Sequence, residues 1–143
     1  MSNLVCLDLE GTLISNAVSQ IPRPGLYSFL SDLSGMAEIM LYTSVSVQRT
    51  NAIKKLLVAD GCAPSWFVHM PSIHPEKTIK YRQQIPDFSS YDCILLVDDQ
   101  PTVVAEGEED WWVSVSEYLP PYPETDSELA AALNRLREYF GIL

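Results

Sequence analysis

The chain has 143 residues, of which 47% are hydrophobic and 20% charged. That length and balance describe one globular domain able to bury its own core, and exclude disorder, collagen, a long coiled coil and a second sizeable domain. Nineteen acidic side chains against nine basic ones give a net charge of -10, which argues against nucleic acid and anionic membrane as partners but leaves a phosphorylated substrate open.

The first apolar run, Leu4–Leu9, reads as a strand, interrupted only at Asp8. Leu26, Phe29, Leu30 and Leu33 then follow helical spacing, with Pro24 suited to the start and Gly35 to the stop. A second strand is expected over Ala37–Ser44. Ile53, Leu56 and Leu57 mark a second helix that ends at Gly61. Ser65–Met70 has strand composition, and Pro75 opens a third expected helix carrying Lys77, Ile79 and Lys80. Cys93–Asp98 and Trp111–Ser116 are the fourth and fifth expected strands. Pro120, Pro121 and Pro123 form a stiff connector to a last helix over Ser127–Phe140, where Thr125 and Glu128 have capping-box spacing. Alternating strands and helices predict an α/β fold: a three-layer sandwich around a five-stranded, mainly parallel sheet of Rossmann-like type.

Cys6, Cys62 and Cys93 are odd in number and lack CxxC spacing, so neither a disulfide framework nor a zinc site is expected. His69 and His74 are too few for a metal site of their own. No stretch is apolar enough to span a membrane, and the N-terminus lacks the basic region of a signal peptide. A cytoplasmic protein is the expectation.

Ligands of open α/β sheets bind outside the carboxyl ends of the strands. The first strand ends in Asp8-Leu9-Glu10-Gly11-Thr12, and in an extended segment residues two apart point the same way. The second ends in Tyr42-Thr43-Ser44 and the fourth in Asp98-Asp99-Gln100-Pro101. Taken singly, Asp98-Asp99 reads as a turn, Thr43-Ser44 as a helix cap and Lys80 as a solvated charge. Asp8 is different, because a carboxylate in an apolar strand is costly unless used. Two acidic pairs at one sheet edge repel each other and call for a divalent cation, and oxygen-only ligation suits Mg²⁺. A carboxylate beside Mg²⁺ can attack a phosphoryl group, a second acid can shuttle the proton, and a Lys with hydroxyls can hold the phosphoryl oxygens. The aromatic pairs Trp66-Phe67 and Trp111-Trp112 could flank such an opening, with one ring of each in the core.

These residues resemble the haloacid dehalogenase-like phosphatase superfamily. Its Asp-x-Asp-x-Thr motif is matched by Asp8 and Thr12 with Glu10 in place of the second Asp. Its later motifs are matched by Thr43, by Lys80, and by Asp98 with Asp99. Within the superfamily the chain is most similar to the small C-terminal-domain, or NLI-interacting-factor-like, phosphatases. Arg23-Pro24-Gly25-Leu26, Phe29-Leu30, Tyr42-Thr43-Ser44, Asp98-Asp99-Gln100-Pro101 and Thr125-Asp126-Ser127-Glu128-Leu129 carry that likeness.

The resemblance implies Asp8 as nucleophile and Mg²⁺ ligand, with Glu10 as general acid/base whose backbone carbonyl also touches the metal. It implies Asp98 and Asp99 as further metal residues, and Thr43, Ser44 and Lys80 as the phosphoryl-binding set. Glu10 departs from the superfamily's Asp, although enolase-phosphatase-like members share the Glu. Val45–Glu76 is too short for the family's peptide-binding hairpin as well as a helix and strand. Residues 13–22 are too few for a cap domain and 45–76 are taken up by one helix, one strand and a loop, so a single capless domain over 1–143 is expected, acting on a phosphorylated protein or a small-molecule phosphomonoester. A non-catalytic binding protein on the same fold is the competing expectation. A receiver domain fits less well, because its acidic pair follows the first strand. A nucleotide-binding site lacks a Gly-rich phosphate loop.

Overall fold

A computed structural model of the chain describes residues 2–142. Five strands form one sheet: β1 (Asn3–Leu7), β2 (Glu38–Tyr42), β3 (Ser72–Ile73), β4 (Cys93–Asp98) and β5 (Trp112–Ser114). The sheet order is β3-β2-β1-β4-β5, and every ladder is parallel. Three α-helices accompany it: α1 (Leu26–Ser34), α2 (Val47–Ala59) and α3 (Glu128–Tyr139). This is the expected Rossmann-like α/β architecture. No helix among the described residues is long and apolar enough to cross a membrane.

The central strand explains the layering. Side chains of β1 alternate faces, so Val5 and Leu7 join one core cluster while Leu4 and Cys6 join the other. The first cluster takes the apolar stripes of all three helices: Phe29 and Leu30 of α1, Ile53 and Leu57 of α2, and Leu133 and Leu136 of α3. The second is closed by Ile85, Trp111 and Tyr42, with Tyr91 and Trp112 against it. That opposite layer is therefore built from short 3₁₀ turns, at Arg82–Gln84, Phe88–Ser90, Pro101–Val103 and Glu109–Trp111.

Three expectations need correction. Ser65–Met70 is not a strand. Ser65–His69 is a 3₁₀ turn started by Pro64, which swings the fully buried Phe67 into the core against α2, and the strand follows Pro71 as β3. The helix expected after Pro75 does not form. Lys80 is held extended instead, its N–H bonded to Val103 O at 2.8 Å and its backbone bridged to Val104. Its neighbours explain this: Tyr81 is exposed and Ile79 only half-buried, so no apolar stripe drives a helix. The Thr125–Glu128 capping box is also absent. Ser127 takes the cap position, and Glu128 instead reaches across to accept the Ser116 N–H at 2.6 Å. The aromatic pairs each bury one ring, Phe67 and Trp111, but none of the four lines the cleft at the strand ends.

Candidate active site

The carboxyl ends of β1 and β4 sit side by side, because the two strands pair along their whole length. Asp8 follows β1 directly and its N–H bonds to Val97 O at 3.0 Å, which carries the ladder one residue further. Asp98 ends β4. Both carboxylates are buried, Asp98 completely. Lys80 enters between them from the extended segment before β4. Its Nζ donates to Asp8 Oδ1 at 2.9 Å and to Asp98 Oδ2 at 2.6 Å, and the ammonium lies 5.9 Å from the centre of the Tyr42 ring.

The turn after β1 is shaped around a third carboxylate. Gly11 has φ +77°, and a Cβ there would lie 2.5 Å from Asp99 Oδ2. Glycine thus serves both the turn and the close approach of Asp99. The Thr12 hydroxyl lies 3.0 Å from Asp8 Oδ2 and 3.1 Å from Asp99 Oδ1, and its single proton can serve either. Gln100 steadies both β4 acids: its N–H donates to Asp98 Oδ1 at 3.0 Å and its Nε2 to Asp99 Oδ2 at 2.8 Å. Trp112 Nε1 bonds Asp98 O at 3.0 Å.

Electrostatics follow from this crowding. Burial pushes the Asp8 carboxyl well above the usual range; Lys80 opposes that shift, and Asp98 and Asp99 add to it. Asp98 is raised too, again by burial and against the pull of Lys80. Desolvation disfavours the charged form of Lys80, but the two carboxylates outweigh it and its pKa rises. Asp8, Asp98 and Asp99 each offer an oxygen within 4.8 Å of one another. When all are ionised, three carboxylates against one ammonium leave two negative charges, a surplus a divalent cation would offset. The all-oxygen donor set fits a hard ion such as Mg²⁺.

The other candidates lie around a cleft of about 270 Å³ lined by Asp8, Glu10, Ser44, Lys80, Asp98 and Asp99, among others. Glu10 stands apart from the three-carboxylate cluster. Its Oε2 accepts the Ala17 N–H at 2.6 Å. Ser44 is exposed on the cleft wall, whereas Thr43 is buried behind it, its Oγ1 accepting the Val45 N–H at 3.1 Å.

Sequence reasoning missed Arg23. It is fully buried, donates from Nη1 to Gly11 O at 3.1 Å and Thr12 O at 3.2 Å, and from Nη2 to Ser116 O at 2.6 Å. It also grips Asp126 through Nε at 2.8 Å and Nη2 at 3.1 Å. The Arg23-Pro24-Gly25 motif and Asp126 were both visible in the sequence, but nothing in their spacing revealed that they meet under the Gly11 turn.

A family model described as NLI interacting factor-like phosphatase matches residues 3–141. No curated protein is similar enough in sequence to count as a match. Among solved structures, the chain is similar to one titled as Fcp1, an essential RNA polymerase II CTD phosphatase, with a TM-score of 0.57 and 16% identity. The likeness covers 95% of this chain and 50% of that one, so this chain spans about half its length. At that identity the likeness carries the fold.

Proposed function

The chain belongs to the NLI interacting factor-like phosphatases, and from that membership we propose that it hydrolyses phosphomonoesters through a phosphoryl group carried transiently on Asp8. The observation that supports this most is the buried Lys80 bridge between Asp8 and Asp98, with Asp99 held beside them by Thr12 and Gln100. Such a cluster is expensive to bury and has little structural purpose.

In the first step an Asp8 oxygen attacks phosphorus, and the bond from phosphorus to the leaving oxygen breaks. Glu10 gives that oxygen a proton. In the second step water attacks the phosphoryl group, Glu10 takes the water's proton, and the Asp8–phosphorus bond breaks to release inorganic phosphate. With Oε2 tethered to the Ala17 N–H, Oε1 is the atom that carries the proton. Lys80 and the Ser44 hydroxyl offset charge on the phosphoryl oxygens, and Thr43, whose Oγ1 accepts the Val45 N–H, fixes the turn that carries Ser44. Asp8, Asp98 and Asp99 would hold Mg²⁺, with the Glu10 backbone carbonyl as a further ligand. The ion would offset charge on the phosphoryl oxygens and the carboxylates.

The catalytic unit is a single capless domain. Between Asp8 and Thr43 the chain makes a loop, α1 and β2; between Thr43 and Lys80 it makes α2, a 3₁₀ turn and β3. Among the described residues nothing inserted there covers the cleft. An open cleft admits phosphorylated side chains of proteins as well as small phosphomonoesters.

The test is hydrolysis of p-nitrophenyl phosphate with Mg²⁺, with EDTA, and with Asp8→Asn. Turnover that requires Mg²⁺ and disappears in Asp8→Asn is expected. Substantial turnover by Asp8→Asn would overturn the mechanism, and a folded wild-type protein inactive across a broad phosphosubstrate panel would favour the binding-protein reading.

A further inference from the structure

Glu10 is one methylene longer than the Asp of the superfamily motif, so its carboxylate needs a fixed place to work from. The loop Ser15–Ile21 supplies one. It is closed on itself: the Ser15 N–H donates to Ile21 O at 2.8 Å, the Ile21 N–H to Ser15 Oγ at 2.9 Å, and the two hydroxyls of Ser15 and Ser19 lie 2.6 Å apart. The Asn16 side chain caps the tip by accepting the N–H groups of Val18 and Ser19. Ala17, buried in this loop, gives its N–H to Glu10 Oε2 at 2.6 Å. That bond is at the short end for N–H donation to a carboxylate.

The carbonyl of Ala17 is held in turn. Gln20 Nε2 donates to it at 2.9 Å, which only closes the loop on itself. Arg49 Nη1 donates to it at 3.1 Å from a separate element. Arg49 lies in the first turn of α2, the helix that follows Thr43 and Ser44, and its own N–H donates to the N-cap oxygen Ser46 Oγ at 3.3 Å. One exposed guanidinium thus links the Ser44 side of the cleft to the residue that holds Glu10.

We propose that Arg49 is a positioning residue for Glu10. By fixing Ala17 against α2 it sets where the Glu10 carboxylate stands, and this lets the longer acid do the work of an Asp. The inference rests on the reading of Glu10 as general acid/base. Arg49 touches neither the three-carboxylate cluster nor the cleft, so it acts only through Ala17.

The test is a double-mutant cycle in p-nitrophenyl phosphate turnover with Mg²⁺, using Arg49→Ala, Arg49→Lys, Glu10→Gln and Arg49→Ala combined with Glu10→Gln. Arg49 is exposed, so Arg49→Ala and Arg49→Lys should keep the wild-type thermal midpoint. Arg49→Ala should lower kcat about 10-fold with KM little changed, since a misplacement of about 1 Å already costs on the order of 100-fold. Arg49→Lys keeps a donor and should recover most of the rate. In the Glu10→Gln background, Arg49→Ala should cost nothing further. Wild-type kcat in Arg49→Ala, or the same fold-loss with and without Glu10, would overturn the proposal. Wild-type turnover in Glu10→Gln would instead overturn the acid/base reading itself.

Discussion

Replacing Arg23 by Met keeps most of the apolar stem but removes the guanidinium from a site with no solvent access. Asp126 would lose both its bonds to Arg23 and keep only the Glu128 N–H at 3.3 Å, and the carbonyls of Gly11, Thr12 and Ser116 would lose their Arg23 donor. The ring of Tyr118, whose centre lies 5.2 Å from the guanidinium carbon, would lose its cation. Breaking a buried ion pair from one side costs about 3–5 kcal/mol, because the remaining charge is left largely out of water without its partner. In a domain of this size each kcal/mol moves the thermal midpoint by about 2–4 °C, so a fall of roughly 6–20 °C is expected. Thermal unfolding followed by circular dichroism reads this directly. A second readout belongs to the site: the Gly11 turn packs directly against Asp99, so the Mg²⁺ concentration for half-maximal turnover should rise in whatever fraction stays folded. A midpoint within about 2 °C of wild type would refute the idea that this ion pair braces the turn.

Gly11→Ala should fold but bind Mg²⁺ more weakly, because φ +77° costs an L-residue about 1–2 kcal/mol and the new Cβ displaces Asp99; an unchanged Mg²⁺ titration of turnover would count against Asp99. Lys80→Met should abolish turnover yet keep, or enlarge, the thermal stabilisation by Mg²⁺, since it leaves Asp8 and Asp98 without their cation; loss of the Mg²⁺ shift would contradict the proposed ligand set. The pH dependence has a definite sign. Asp8 and Asp98 titrate above the ordinary carboxylate range of about 4 in the folded chain, so over that interval the folded state holds protons that the unfolded state has released. Their contribution to stability is complete below about pH 4 and is lost as pH rises through the raised values. Metal-free Asp8→Asn should therefore gain stability over metal-free wild type as pH rises. A gap that narrows with rising pH would show that these shifts have the opposite sign.

The acidic ends of the strands are legible in the sequence because they combine two signals that rarely coincide. Asp8 and Asp98 stand at the ends of apolar runs, and apolar runs that continuous form buried parallel strands. The helix stripes of Leu26, Phe29, Leu30 and Leu33 were legible for a similar reason: they all enter one core. The segment from Ser65 to Tyr91 was not. Its aromatic and β-branched residues suit a strand, but Pro64 and Pro71 confine them to a 3₁₀ turn and leave β3 only two residues. Local spacing puts Lys80 on a helix, whereas the pull of Asp8 and Asp98 keeps it extended, a tertiary demand that spacing does not record. Glu10, Ala17 and Arg49 lie within one bonded chain in space, yet their separations in sequence follow no periodicity.

The central claim is that Asp8 carries the phosphoryl group. Acid quenching during turnover of an aryl phosphate, followed by mass spectrometry of the peptide that contains Asp8, tests it most directly. The account predicts one phosphoryl group on Asp8 that requires Mg²⁺, accumulates when Glu10 is replaced by Gln, and is absent from Asp8→Asn. Steady hydrolysis with no phosphoryl group on Asp8 even in Glu10→Gln, or with the group on another residue, would contradict it.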